Sequence, residues 1–241
     1  EDPGNANYSI GRIPKVVGGM DEASGRAAEA LYGAVLEKVI PVSSASTAEA
    51  VKITENVFRA VNIALVNELK LIYGAMDIDV WEVIEAASTK PFGYMPFYPG
   101  PGLGGHCIPI DPFYLAWKAR SVGQSTRFIE LAGEINRAMP DYVIDRLREA
   151  VDLQLGKGLR GADILLVGLA YKKNVADQRE SPALTILDKL DAAGASVAFH
   201  DPWIPEILPS REFGRLAGRQ SVALTEQRLA AADAVLIVTD H

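Results

Sequence analysis

Hydrophobic periodicity changes at Gly156 and Gly158, and that change limits the chain to a helical part followed by a parallel α/β part. Beyond the glycines, Asp163 to Tyr171 (DILLVGLAY) is a continuous apolar run bounded by turns, the pattern of a strand buried on both faces. Pro182 to Ala193 has helical spacing, with proline in its first turn and Gly194 after its last residue. Ser196 to Asp201 and Asp233 to Asp240 read as two further strands, and such a βαβαβ run favours a parallel sheet with right-handed crossovers. Ahead of the glycines, Thr47 to Tyr73 predicts one long helix, with Thr47 as its N-cap and Gly74 as its stop. Asp79 to Ser88, Asp111 to Arg120 and Thr126 to about Leu153 continue the helical zone. Before it, Pro14 to Gly19 reads as a short strand, Asp21 to Val39 as a helix and Val39 to Ser46 as extended chain, the tail of an α/β domain. The expected class is α/β, with boundaries at 1–46, 47–155 and 156–241.

Composition removes several functions. The net charge of -7 argues against a nucleic-acid or anionic-membrane surface, because phosphates demand clustered Lys and Arg. No run approaches the ~18 apolar residues of a membrane span. The opening residues carry neither a basic n-region nor an apolar h-region, so no signal peptide is expected. Cys107 is the only cysteine, which rules out an internal disulfide and suits a reducing compartment such as the cytoplasm. His106, His200 and His241 offer no metal-ligand spacing with it, and no metal is expected.

The stretch FYPGPGLGGHCIPIDP, residues 97–112, carries the letters of a dinucleotide fingerprint at Gly100, Gly102 and Gly105. Its context is wrong. A pyrophosphate site needs a strand before the glycines and a helix opening on them, whereas Pro99, Pro101, Pro109 and Pro112 delay any helix until after Pro112. The better reading is a rigid loop whose missing Cβ atoms admit a bulky ligand and whose Cys107 precedes a helix, where positive potential favours the thiolate. A small buried cysteine is the plainer alternative.

Two other stretches carry chemistry. Lys52 and Asn56 stand four residues apart on the long helix, with Arg59 extending their stripe, so they share a face. The same helix places Val57, Phe58, Val61, Leu65 and Val66 almost all round, which suggests a dimer core. Asn62 and Asn67 are more readily helix contacts than ligands. The loop after the first buried strand, Gly168 to Leu184 (GLAYKKNVADQRESPAL), offers Tyr171 to stack, Lys172 and Lys173 for phosphate, and Arg179 beside a helix start.

Together KITEN, GLGGHCIPIDP and GLAYKKNVADQRESP resemble the nucleotide-sugar 6-dehydrogenases of the UDP-glucose/GDP-mannose dehydrogenase family, in order and spacing and over nearly the whole chain. The resemblance implies a central helical dimerisation domain, a Rossmann-like C-terminal domain for the sugar nucleotide, and, in residues 1–46, the tail of an N-terminal NAD-binding Rossmann domain. It implies NAD as cofactor, a UDP-sugar as substrate, a homodimer, and oxidation of the sugar's C6 alcohol to a carboxylate. The roles it implies are Cys107 as nucleophile, Lys52 and Asn56 at the oxyanion, and Asp111 in proton transfer. Tyr98, Pro99, Gly100, Pro101, Gly102, Leu103, Gly104, His106, Tyr171 and Lys172 would contact substrate, and Arg179 the cofactor. Ile110 before Asp111, where the UDP-glucose branch usually carries lysine, and His106 beside the cysteine look more like the branch oxidising UDP-N-acetylglucosamine or UDP-N-acetylmannosamine. UDP-glucose, a non-catalytic nucleotide-binding core, a one-step alcohol dehydrogenase and a redox-sensing scaffold remain as alternatives.

Overall fold

The computed structural model describes residues 9–105 and 107–241, and the chain divides into two compact units, one ending at Phe58 and the other beginning at Arg59. Among the described residues no helix is long and apolar enough to cross a membrane.

The first unit pairs β1 (Lys15–Val17) in parallel with β2 (Val39–Pro41) across helix α1 (Glu22–Gly33). Asp21 and Ser24 cap α1 reciprocally, side chain to backbone. The helix stops short of the expected Val39 because that residue pairs with Lys15. Helix α2 (Ala45–Ala75) follows, 31 residues long. It begins before the expected Thr47: the Thr47 N–H donates to Ser44 Oγ at 3.1 Å, so Ser44 is the capping residue. Nor does Gly74 stop it. The turn comes at Asp77, with φ of 57°, and the Ile78 N–H bonds back to the Tyr73 carbonyl at 2.9 Å.

In the second unit α3 (Val80–Ser88) starts on Asp79, whose carboxylate accepts from the Trp81 N–H. Val80 and Ile84 pack against Val66 of α2. The Gly/Pro loop leads to α4 (Asp111–Ser121), which takes Pro112 into its first turn instead of waiting for it, since a proline there forfeits no intrahelical bond. Helix α5 (Arg127–Leu155) continues through Pro140 and ends on Gly156 at φ of 62°.

Strands β3 (Asp163–Val167), β4 (Ser196–His200) and β5 (Ala234–Ile237) form a parallel sheet in the order β4-β3-β5, and α6 (Pro182–Ala192) crosses from β3 to β4. All three strands are shorter than their apolar runs. The core beside them contains Ile164, Leu166, Ile186, Leu187, Leu190, Phe199 and Leu216, each at most 1% exposed. Ile144 and Val151 of α5 enter the same core, so the last helix before the glycines is shared with the sheet.

Asp201, directly after β4, closes the top of this sheet. Its buried carboxylate accepts from the backbone N–H groups of Leu169, Ala170, Trp203 and Ile204, at 2.6 to 2.9 Å, and meets His241 Nε2 at 3.1 Å. His241 Nδ1 accepts from the Asn174 N–H, so its proton sits on Nε2 and is donated to Asp201. Burial works to raise the Asp201 pKa, but the N–H groups of Ala170, Trp203 and Leu169 and the His241 ring outweigh it, leaving the carboxyl below its ordinary 3.8. A depressed carboxylate stabilises the fold above the unfolded-state value, and that stabilisation is lost as pH falls through the folded-state value. We therefore expect Asp201→Asn to lower stability near pH 7 by on the order of 3 kcal/mol. Below about pH 4 the difference from wild type shrinks, which urea denaturation across pH will show.

Candidate active site

Cys107 is exposed, which discards the small buried cysteine. It sits one turn before α4, and its carbonyl accepts from the N–H groups of Ile110 at 3.3 Å and Asp111 at 2.9 Å. Asp111, half-buried, is the first residue of the helix, so the loop's last turn links thiol and carboxylate.

The loop leading to Cys107 is fixed from two sides. On one side the Gly100 N–H donates to Asn67 Oδ1 at 2.9 Å, and Gly102, at φ of 131°, passes 3.4 Å below the Asn136 carbonyl oxygen, measured from where a Cβ would stand. On the other, the Gly105 N–H donates to the Arg179 carbonyl at 3.2 Å. A Cβ on Gly104 would lie 2.6 Å from Tyr171 Cβ, and one on Gly105, at φ of 81°, 2.9 Å from the Tyr171 ring. The glycines were expected to make room for a ligand. The room at Gly104 and Gly105 is filled by Tyr171 of the protein itself. Tyr98, half exposed, stacks on Trp81 with ring centroids 5.7 Å apart. Gly102, Leu103 and Gly104 are partly buried, as are Pro99 and Pro101. His106 lies outside the described residues.

Beyond Tyr171, the half-buried Lys172 and exposed Lys173 continue the strand-end loop, and Lys173 pairs with Asp240 at 3.9 Å. Arg179 is clamped by Asp177, with Nε 3.0 Å from Oδ1 and Nη2 2.6 Å from Oδ2, yet its side chain remains 67% exposed. Hydrogen bonding to Asp177, then its charge, raises the guanidinium pKa. Tyr171 and Cys107 add smaller contributions against desolvation. Asp177 and Asn136 escaped sequence reasoning. An acid two residues before Arg179, and an asparagine on the apolar face of α5 between Ala132 and Met139, were the available signals.

Cys107, Asp111, the 98–105 loop, Tyr171, Lys172 and Arg179 thus belong to one unit. Lys52 and Asn56 belong to the other, on the first part of α2. There Lys52 is exposed, Asn56 is fully buried, and Lys52 Nζ donates to Asn56 Oδ1 at 3.4 Å. Behind the Gly/Pro loop, Leu103, Ile110, Phe113, Asn136 and Phe213 border a cavity of about 420 Å³ that Cys107 does not line. Among the described residues no group of His, Cys, Asp and Glu is arranged to hold a metal ion.

Residues 46–138 match the central domain, and residues 165–241 the UDP binding domain, of the UDP-glucose/GDP-mannose dehydrogenase family. A UDP-N-acetyl-D-mannosamine dehydrogenase of Methanocaldococcus jannaschii is 36% identical over 206 residues, covering 86% of this chain and 46% of that protein. An NDP-N-acetyl-D-galactosaminuronic acid dehydrogenase of Ralstonia nicotianae is 36% identical over 242 residues, covering 99% and 53%. The structure of a UDP-D-ManNAc dehydrogenase from Pyrococcus horikoshii superposes with a TM-score of 0.82 at 33% identity, over 95% of this chain and 50% of that one. The chain spans about half the length of these relatives.

Proposed function

The chain belongs to the UDP-glucose/GDP-mannose dehydrogenase family, and we propose that its protein oxidises the C6 alcohol of a UDP-sugar to the uronic acid with NAD, in two two-electron stages. The observation that carries this reading is the exposed Cys107 thiol, on a loop pinned from both sides and one turn from Asp111. The names of the relatives favour an N-acetylated hexosamine as the sugar.

The β1–α1 turn does not suit the cofactor's pyrophosphate. Gly18 and Gly19 press against the backbone of Ser44 and Gly25, and the Asp21 carboxylate already occupies the start of α1. Arg179 does suit a polyanion, being charged, exposed and oriented by Asp177. It would hold part of NAD, which when bound supplies the electron acceptor for both stages.

The chain's own groups then have distinct tasks. Backbone of the loop from Tyr98 through Pro99, Gly100, Pro101, Gly102 and Leu103 to Gly104 lies along the sugar nucleotide, with Tyr171 behind it and Lys172 at a phosphate. His106 is assigned to substrate contact in the same reading. At the aldehyde stage the Cys107 sulfur forms a bond to C6 and the carbonyl oxygen takes up the proton. Loss of the C6 hydrogen as hydride and of the hydroxyl proton, two electrons and two protons in all, leaves a thioester. Water then adds, the S–C6 bond breaks, and the proton returns to sulfur, with Asp111 carrying protons for the water. Lys52 stabilises the oxyanion of each addition, and Asn56 holds the Lys52 ammonium in place.

Phe58, Leu65, Leu71 and Ile72 leave an exposed apolar stripe on α2, the reason for assigning a homodimer through that helix. The single cysteine and a nucleotide-sugar substrate suit the cytoplasm. The test is NADH yield with limiting UDP-N-acetylmannosamine, UDP-N-acetylglucosamine or UDP-glucose, on a preparation sized by light scattering. We expect two NADH per N-acetylated sugar from a dimer. No NADH with any of them removes the catalytic reading and leaves a nucleotide-binding core, and a monomer at micromolar concentration removes the dimer.

A further inference from the structure

We infer that Asn67 and Asn136, neither of which touches the thiol, are positioning residues that set where the Cys107 loop stands. Both are buried, at 0% and 3% exposure, Asn67 on α2 and Asn136 on α5. They form a relay with one direction. The Gly100 N–H donates to Asn67 Oδ1 at 2.9 Å, Asn67 Nδ2 donates to Asn136 Oδ1 at 2.9 Å, and Asn136 Nδ2 donates to the Ala60 carbonyl at 2.9 Å. A backbone donor fixes one end and a backbone acceptor the other, so neither carboxamide can flip without setting two like groups against each other. Buried polar groups in apolar surroundings hold their partners strictly, because breaking a link leaves a desolvated group unpaired.

The relay ends on the loop, not merely near it. Gly100 lies seven residues before Cys107, and Gly102 passes beneath the carbonyl of Asn136 itself. Two helices are therefore read out at one loop amide, and the far end of the same loop is tied at Gly105 to the Arg179 carbonyl. Between these anchors the glycines allow the loop several paths, and the relay selects one of them.

This inference rests on the proposed two-stage oxidation, in which a misplaced thiol fails to capture the aldehyde. Product partition is accordingly the informative quantity, since a smaller amount of folded enzyme lowers rate without changing it. In the whole protein, Asn67→Leu keeps the branched shape of the side chain and removes both of its hydrogen bonds. We expect hydrogen exchange in the 97–105 segment to quicken at least tenfold while β3 and α6 keep their protection. The fraction of sugar trapped by hydroxylamine as aldehyde, in place of carboxylate, should rise at least fivefold. Asn136→Ala, which leaves Asn67 in place but frees its Nδ2, should move both readings the same way by less, and it carries the test if Asn67→Leu does not fold. Wild-type partition in a folded variant overturns the inference. A wild-type protein that turns over no UDP-sugar defeats the functional reading instead, and unchanged loop exchange in the variants then overturns the relay on its own.

Discussion

Replacing Cys107 with serine should stop the reaction between its two oxidations. Carboxylate formation is expected to fall by on the order of 10³-fold, in line with removal of the nucleophile from enzymes that work through a covalent intermediate. The yield should drop from two NADH per sugar to at most one, with aldehyde detectable by hydroxylamine. The chemical reason lies in the atom exchanged. Sulfur is a far better nucleophile than a neutral hydroxyl, and a thioester yields to water more readily than the oxygen ester that serine would form. Nothing in the surroundings of Cys107 compensates. Among the described residues no histidine is bonded to it as a base, its carbonyl rather than its side chain is engaged by the start of α4, and its side chain is open to solvent.

The same change separates the competing readings. A one-step alcohol dehydrogenase would give one NADH per sugar with or without the thiol. A redox-sensing scaffold would bind no UDP-sugar in either form, and a nucleotide-binding core would bind it without turnover. Retained UDP-sugar affinity in the variant, measured calorimetrically, shows that the loss is chemical, because the loop backbone, Tyr171 and Lys172 are untouched. Undiminished carboxylate from Cys107→Ser would make the cysteine structural and end the thioester route.

What the sequence disclosed, and what it withheld, divides along the range of the interactions. The buried β3 run, the crossover helix from Pro182 and the long α2 were legible because their patterns are local: a continuous apolar stretch, a proline at a helix start, a sustained helical period. The family's three landmarks were legible for a similar reason, each being a contiguous string. Ends of elements were less so. The choice of Ser44 over Thr47 as the cap of α2 depends on which hydroxyl faces the free N–H groups, and both letters fit. The packing of Gly104 and Gly105 was out of reach because their neighbour is Tyr171, more than sixty residues on. Asn67 was correctly assigned to helix contacts, but its partner is 69 residues away, and no local pattern announces Asn136. Asp201 was visible only as the last residue of an expected strand. Its four backbone donors come from two different loops, and only the closed sheet brings them together.

The largest effect on the fold is expected at Gly168, where β3 ends. Gly168 holds φ of 87°, and a Cβ there would overlap the backbone carbonyl, nitrogen and Cα of Thr239. The backbone conformation alone costs alanine about 1–2 kcal/mol. The overlap adds more, because the obstructing atoms are main chain that is itself fixed. Val238 N–H bonds to the Val167 carbonyl at 2.8 Å, and Thr239 Oγ1 donates to the Ala170 carbonyl at 2.6 Å. To relieve the clash β5 must move away from β3, which opens the edge of a core whose central residues Ile164 and Leu166 are completely buried. Gly168→Ala should therefore destabilise the sheet by roughly 4 kcal/mol or more, among the largest losses single substitutions produce. The loss should appear as a shifted urea midpoint with exchange protection lost in β3 and β5 before α3. The Gly168 N–H bond to the His200 carbonyl and the cluster of donors around Asp201 stand at the same strand ends, so UDP-sugar affinity should fall together with stability. A variant that keeps the wild-type midpoint would mean that β5 yields freely, and that the close approach of Gly168 to Thr239 does not hold the sheet's binding edge in place.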